Sequence, residues 1–285
     1  MSTVGRQRVW AVLGIVGVVA VGITASHAQQ IWTGGYGRTP PRFPTPTTFD
    51  GGFNFCRVMF QSDHREKQGW STDYPGADIN FSVRLGELTK VQIKFRTDAQ
   101  GEDGRAPDAV VVRLTDEALF QCPFIFMQDA GTARFTTVEI QRLQEYLLKG
   151  GFLLVSDYHG TYGRDQFDEE IRRALPAKHF PLVDLTPPDH AMWRTMFPVA
   201  RLPQMASIST WRRTGSVIER WNEDGGAPTA RGIADNQGRI MVVMVHNTDL
   251  PDPWEREGED KDYFFRFSPE AYAVGIDILL YGMTH

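Results

Sequence analysis

The fold class is most readable at Gly150-Gly151-Phe152-Leu153-Leu154-Val155-Ser156-Asp157-Tyr158-His159-Gly160. The apolar run in this stretch is short and stops abruptly at an acid, an aromatic residue and a histidine. This pattern predicts a buried strand that leaves the core at Asp157. The polar residues that follow would then lie at the rim of a sheet.

The residues before this strand predict a helix. Thr136 and Glu139 have the spacing of a capping box, and Gly150 is placed to end the helix in a left-handed conformation. The apolar residues of one helical face lie between these ends: Ile140, Leu143 and Leu147. The order of helix, glycine stop, buried strand and polar rim predicts an open α/β sheet.

Ligands of open α/β sheets bind outside the carboxyl ends of the strands. Asp157, Tyr158 and His159 therefore fall where chemistry is expected. Other polar and aromatic residues, in strand exits and long loops, join them as ligand-binding candidates: Trp70, Asp73, Tyr74, Asp129, Asp189, His190 and His246. The catalytic candidates in the whole set are Asp157, His159 and His190.

Three of the seven histidines, His159, His190 and His246, lie beside or near an acid. Imidazoles with a carboxylate suit zinc or another divalent metal. The chain has no His-Glu-x-x-His or comparable motif, and a histidine beside an aspartate also serves as a capping or supporting hydrogen-bond partner. We therefore expect neither a metal nor a cofactor.

The aromatic candidates allow two interpretations. Trp70, Tyr74 and Tyr158 could stack on a sugar ring. The alternative is that they pack beneath a long loop, because aromatic rings are mostly buried.

Composition bounds the class of protein. The chain has 285 residues, of which 41% are hydrophobic and 12% aromatic, so it can bury a full-sized core. Without its first 28 residues it has 28 basic and 35 acidic residues and a net charge of −7. Nucleic acid is therefore not an expected partner.

The amino terminus has the pattern of a signal peptide. Arg6 and Arg8 precede an uncharged run over residues 9–25, and Ser26-His27-Ala28 offers small residues for cleavage before Gln29. We expect a periplasmic or secreted protein. In the alternative, an uncleaved anchor, the leader would be the only contact with the membrane, although 17 residues are few for a spanning helix.

Residues 29–52 are rich in glycine, proline and threonine, which predicts an extended linker or a surface arm. The remaining residues, 53–285, are expected to form a single α/β domain. Its predicted strands cover residues 53–60, 91–95, 109–114, 123–127, 231–235 and 240–245, in addition to the opening stretch. Further helices are predicted at 78–88 and 115–121, from an Asp165 cap to residue 175, and from a Ser268 cap with Pro269 in the first turn. The pattern over residues 180–222 is irregular.

Several spaced motifs resemble a known family. They are Trp70-x-x-Asp73-Tyr74-Pro75-x-x-Asp78-x-Asn80-Phe81, Pro123-Phe124, the Gly150 stretch with Asp157, Phe167-Asp168, Asp189-His190 and Tyr272-x-x-Gly275-x-Asp277-Ile278. Over about residues 53–284 the chain resembles the bacterial domain-of-unknown-function family 4159. The resemblance implies a flavodoxin-like, open and mostly parallel sheet with helices on both faces, related to the class I glutamine amidotransferase-like and ThuA-like proteins. It implies no activity.

Amidotransferase chemistry needs a cysteine on a sharp strand-to-helix turn between small residues. Cys56 lies inside a predicted strand and Cys122 precedes Pro123, and neither has flanking glycines. Ser156 also lacks the small neighbours of a nucleophile elbow. We expect both cysteines to be buried free thiols, with a disulfide as the alternative.

Two functions of different class remain open. The first is a non-catalytic module of the cell envelope that binds a small molecule or an envelope protein. The second is a hydrolase-like enzyme acting on a small polar or carbohydrate substrate through the Asp and His rim. The missing elbow favours the first, and the acid and histidine content of the rim favours the second.

Overall fold

The computed structural model describes residues 39–63, 69–97, 105–219, 222 and 224–285. The predicted signal peptide and the first part of the 29–52 segment lie outside these residues. None of the described helices is long and apolar enough to span a membrane.

A seven-stranded sheet lies at the centre of the described residues. Its strands, in spatial order, are β5 (Val110–Arg113), β1 (Cys56–Met59), β6 (Phe124–Gln128), β8 (Phe152–Ser156), β11 (Ile240–His246), β10 (Thr229–Ala234) and β9 (Leu182–Asp184). The first five are parallel, and β10 is antiparallel to both of its neighbours. Two short ladders pair β2 (Gln61–Ser62) with β7 (Ala133–Arg134) and β3 (Phe95–Arg96) with β4 (Ala106–Pro107).

In chain order, the five parallel strands have the spatial sequence 2-1-3-4-5, which is the flavodoxin-like order. The α/β architecture and the mostly parallel sheet that the sequence predicted are confirmed. In this order the chain reverses direction across the sheet between β1 and β6. That switch point is where open α/β sheets place their ligands.

The described ranges contain six α-helices. They are α1 (Gly76–Leu88), α2 (Thr137–Leu148), α3 (Gly160–Ala174), α4 (Ile208–Thr214), α5 (Pro251–Glu255) and α6 (Lys261–Thr284). Residues of α1, α5 and α6 share one hydrophobic cluster with Phe126 and Leu154, and residues of α2 and α3 share the other with Ile125 and Leu153. Because successive strand residues point to opposite faces, β6 and β8 contribute to both clusters and are buried throughout.

The opening stretch has the local structure that its sequence predicts. The Thr136 side chain accepts a hydrogen bond from the Glu139 backbone N–H, and the Glu139 side chain accepts one from the Thr136 backbone N–H, which completes the capping box. Gly150 has φ +105°, with Gly150 N donating to Leu147 O at 3.3 Å and Gly151 N to Tyr146 O at 3.0 Å. These two bonds form a Schellman motif, so the helix ends where predicted.

Three predicted boundaries are wrong. Residues 91–95 form no full strand, since only Phe95–Arg96 pairs as β3. The helix predicted to start at an Asp165 cap begins at Gly160, so Asp165 lies inside it. Asp168, in the same helix, accepts two hydrogen bonds from Arg231. Helix α6 begins at Lys261 under an Asp260 cap, so the predicted start at Ser268 and Pro269 lies inside it. Ser268 is buried and donates to Pro253 O, which explains why it does not cap.

The expectation of two free thiols is also wrong. Cys56 and Cys122 form a disulfide, with their Cα atoms 6.2 Å apart. Cys56 begins β1, and Cys122 lies two residues before β6, the neighbouring parallel strand. Sheet pairing brings the two residues together although 66 positions separate them in the sequence.

The described part of the 29–52 segment lies along the sheet edge formed by β5. Arg42 O accepts from Val111 N at 2.8 Å, and Arg42 N donates to the Tyr74 hydroxyl at 3.0 Å. The Arg42 side chain contacts the buried Asp108 at 2.7 Å. Here the segment is a surface arm that covers part of an otherwise open strand edge.

Candidate acidic binding site

Three neighbouring parallel strands end in the same backbone conformation. Asp129 follows β6, Asp157 follows β8 and Asn247 follows β11, with φ angles of 55°, 57° and 62°. Aspartate and asparagine tolerate this left-handed conformation better than other side chains that carry a Cβ atom. The three sharp turns place polar groups side by side at the carboxyl edge of the sheet.

Gln128, the last residue of β6, connects these groups. Its Nε2 donates to Asp157 Oδ2 at 3.0 Å and to Asp73 Oδ2, and its Oε1 accepts from Arg57 Nη1 at 3.0 Å. Arg57 is fully buried and forms an ion pair with Asp78 of α1. The Arg57 charge is balanced by Asp78, and the Gln128 amide is itself neutral. Gln128 therefore holds two aspartates together without adding a charge.

Further acids approach Asp73 from the segment after β11. Single carboxylate oxygens of Asp73, Asp249 and Asp252 lie within 4.8 Å of one another. The Glu255 carboxyl group lies beside that of Asp73 and interacts with it electrostatically. Together with Asp157, these residues make five carboxylates within the described part of the chain, and we call this group the acidic edge.

The acidic edge is held by neutral donors. Asp252 Oδ2 accepts from Ile208 N at 2.9 Å and from the Tyr263 hydroxyl at 2.7 Å. Asp249 Oδ1 accepts from Asp252 N at 3.0 Å. Arg256 is the nearby cation, 2.7 Å from Glu255 and 3.9 Å from Asp252, but it is shared with Glu259. These contacts fix the acids without balancing their charge.

Burial and repulsion between neighbouring acids raise the pKa values of four members of the acidic edge. Burial, and next the charge of Asp157, raise the pKa of Asp73. The same causes, together with Asp252 and Asp73, raise the pKa of Asp249 well above its ordinary value. Burial and Asp73 raise the pKa of Asp252 to about 8 and that of Glu255 to about 10. Several of these carboxyl groups therefore hold a proton near neutral pH unless a bound cation displaces that proton.

Two of the histidine candidates lie beside this group. His159 Nε2 is 3.1 Å from Asp157 Oδ1, and its side chain is 5% exposed. His246 Nε2 is 2.9 Å from Gly160 O, and burial lowers the pKa of His246 to about 4. The neutral imidazole of His246 therefore donates to the start of α3, and it serves a structural role there.

The aromatic candidates pack inside the protein. The Trp70 and Tyr74 ring centroids are 5.6 Å apart, and the Tyr74 hydroxyl accepts from the arm. Tyr158 is buried between Phe167 and His246, with ring centroids 5.8 Å and 5.0 Å away. The packing alternative therefore describes Tyr74 and Tyr158 better than a sugar-stacking surface does.

Asp189 and His190 do not join the acidic edge. The His190 ring lies 5.2 Å from that of Tyr281, near the carboxyl end of α6, whereas Asp252 contacts Tyr263 near its amino end. At 1.5 Å per residue these two tyrosines are about 27 Å apart along the helix. His190, which was predicted as a catalytic candidate together with Asp157, therefore lies far from the acidic edge. Asp189 is exposed.

Sequence reasoning missed Asp252 and Glu255, which are not among the ligand-binding candidates. A signal was present, because Leu250, Pro251, Pro253 and Trp254 surround these acids with apolar residues. Acids in such a setting are more often buried than acids in a uniformly polar loop. Asp249 is also absent from those candidates.

No candidate nucleophile is accessible. Cys56 and Cys122 are bonded to each other, and the Ser156 side chain is completely buried. Two cavities of about 560 and 310 Å³ lie elsewhere, and the larger is lined by Arg164, Leu182, Asp184, Thr186, Thr229 and Arg231. Neither is lined by a residue of the acidic edge, so we place the site by its chemistry and by the strand ends.

The model of one protein family matches most of the chain. The model described as Domain of unknown function (DUF4159) matches residues 55–283. The chain belongs to this family. This membership confirms the resemblance to the family that was drawn from the spaced motifs. The matched range includes all five parallel strands and every residue of the acidic edge. No curated protein matches the chain.

Proposed function

We propose that this protein is an exported, non-catalytic binding domain of the cell envelope that binds a positively charged ligand group at the acidic edge. The main observation behind this proposal is that five carboxylates converge outside the carboxyl ends of parallel strands. This location is where open α/β sheets bind their ligands.

Electrostatics supports a cationic ligand group. Two like charges 4 Å apart repel by about 4 kcal/mol at an effective dielectric constant of 20. The acidic edge can lower this cost by taking up protons or by binding a cation. A bound cation releases the protons and gains attraction from several carboxylates at once, so it has a specific reason to bind here.

The described residues also argue against a hydrolase that uses a serine or cysteine nucleophile. Covalent catalysis needs an exposed nucleophile next to a base. Ser156 is buried, and both cysteines are bonded to each other. The fold would then be that of the class I glutamine amidotransferase-like and ThuA-like proteins, with the chemistry of their nucleophile absent.

Export rests on the signal-peptide pattern of residues 1–28, and a disulfide suits an oxidising compartment. The protein would be periplasmic or secreted, and its partner a small molecule or an envelope protein. Mass spectrometry of the protein from its native envelope should find a start near Gln29. An intact Met1 in the membrane fraction would support the anchor instead.

The binding site is tested with cationic probes. We expect spermidine, a trilysine peptide or calcium chloride to raise the melting temperature of the protein and to give a saturable calorimetric titration. Asp157→Asn should weaken that binding about tenfold, equivalent to ~1.4 kcal/mol. Asp189→Asn, which changes an exposed acid outside the acidic edge, is the matched control and should bind like the parent.

Two results would reject this function. One is the absence of binding by every cationic probe at millimolar concentration. The other is turnover of p-nitrophenyl esters or glycosides that Asp157→Asn abolishes, since it would show catalysis at the same site.

A further inference from the structure

Three members of the acidic edge have the geometry of metal ligands. Oxygens of Asp73, Asp249 and Asp252 lie within 4.8 Å of one another, so small side-chain shifts would bring all three to one ion. Calcium binds carboxylate oxygens at 2.3–2.6 Å and magnesium at 2.0–2.1 Å. Asp249 and Asp252 are buried, whereas Asp73 is only partly buried and leaves the site open to ions from solvent.

The protein already orients these ligands. Asp252 is held by Ile208 N and the Tyr263 hydroxyl, and Asp249 by Asp252 N. Gln128 donates to Asp73 from the end of the central strand β6. Hydrogen bonds that orient ligating groups are the usual support of a metal site.

A second observation comes from Ser156, which belongs to a strand and not to the acid cluster. Its side chain is completely buried, and its hydroxyl has no hydrogen-bond partner among the described residues. A buried polar group without a hydrogen-bond partner is unfavourable and needs an explanation, and an ion or water at the site is a common one.

The register of the sheet shows which way this hydroxyl faces. Ser156 pairs with Gln128 across β8 and β6, so both side chains lie on the same face of the sheet. That face carries Phe126, whose ring centroid is 6.1 Å from that of Trp254 in α5. The Ser156 hydroxyl thus faces the layer that supplies Asp252.

The donor set selects the class of ion. All three candidate ligands are carboxylates, the cysteines are bonded to each other, and His159 contacts Asp157, which is not one of the three. Hard oxygen ligands without nitrogen or sulfur suit calcium and magnesium better than zinc or copper.

We propose that Asp73, Asp249 and Asp252 bind one hard divalent cation of the calcium and magnesium class, and that the Ser156 hydroxyl donates to or accepts from a water bound to that cation. This inference rests on the proposed function and identifies the cationic group it binds. Gln128 positions Asp73, and Asp157 adds negative charge beside the ligands.

The test uses the full chain, exported, purified, stripped with EDTA and dialysed. Calcium chloride, magnesium chloride, zinc chloride and spermidine are titrated separately by calorimetry. We expect calcium or magnesium to bind with a stoichiometry of one. Asp249→Asn should weaken this binding at least tenfold, Ser156→Ala should weaken it a few-fold, and the control Asp189→Asn should leave it unchanged.

A melting experiment shows whether Asp249→Asn has simply failed to fold. Because asparagine carries no charge and its side-chain oxygen can still accept from Asp252 N, the variant should melt at or near the parent temperature in EDTA and no longer respond to calcium or magnesium. A cooperative transition with this behaviour supports the site. A metal response equal to that of the parent overturns it.

The remaining outcomes separate the two proposals. Saturable binding of spermidine alone leaves the proposed function standing and overturns the metal site. Zinc binding without calcium or magnesium binding overturns the hard-cation assignment. If no probe binds, both proposals fail.

Discussion

His246 shows how one residue couples the fold to pH. Its imidazole is 3% exposed, donates to Gly160 O and has a pKa lowered to about 4 by burial, with further effects from His159, Arg231 and Arg164. In the unfolded chain a histidine takes up its proton near pH 6.5. The folded state therefore binds fewer protons than the unfolded state between pH 6.5 and 4.

This difference predicts a loss of stability on acidification. The contribution of His246 is fully present above pH 6.5, and as pH falls to 4 it should decrease by about 3 kcal/mol. Urea denaturation of the parent and of His246→Gln at a series of pH values gives the unfolding free energy of each as a function of pH. The difference between the two curves is the contribution of His246. His179→Gln, at an exposed histidine, is the control. Parallel profiles for the parent and His246→Gln would contradict the assignment.

At the scale of elements, two adjacent glycines join α2 to β8 for different reasons. Gly150 has a positive φ but no atom within 4 Å of an added Cβ atom. An added Cβ atom at Gly151 would lie 2.4 Å from the ring of Tyr146, whose hydroxyl donates to Cys122 O at 2.7 Å. The first glycine is needed for backbone conformation and the second for close packing.

Two substitutions separate these requirements. Gly150→Ala should cost about 1 kcal/mol of unfolding free energy through strain alone. Gly151→Ala should cost about 1–3 kcal/mol, because a hydrogen-bonded ring must move. In the double variant Gly151→Ala/Tyr146→Leu the clash is absent, so the added methyl group should cost less than it does beside Tyr146. Urea denaturation measures these losses, and an equal cost of Gly151→Ala in the parent and in a Tyr146→Leu background would show that the Tyr146 contact adds nothing.

At the scale of the whole molecule, the disulfide joins β1 to the start of β6 and encloses α1 and β5 in the loop it closes. A cross-link over 66 positions reduces the freedom of the unfolded chain. Cys56→Ala/Cys122→Ala should therefore lower the unfolding free energy by about 2–4 kcal/mol. Guanidinium denaturation measures the loss, and the fully reduced parent is the comparison. An unchanged midpoint would mean that the cross-link does not stabilise the fold.

The sequence alone determined the features that depend on near neighbours. The Thr136 capping box, the Gly150 stop and the buried run from Phe152 are local, and each was found where its pattern placed it. The hairpin of β10 and β11 and the α/β class follow from similar short-range patterns. The spaced motifs also identified the family, because they record the order of these elements along the chain.

Only the tertiary structure decided which distant residues meet. Asp73 joins Asp249 and Asp252 because the 2-1-3-4-5 strand order brings the exits of β1, β6, β8 and β11 to one edge. The same pairing places Cys56 beside Cys122, whereas His190 lies at the far end of α6. Helix caps and hydrophobic periodicity involve residues a few positions apart, so they are readable in sequence. Contacts between residues separated by well over a hundred positions depend on strand order and register, which local patterns do not specify.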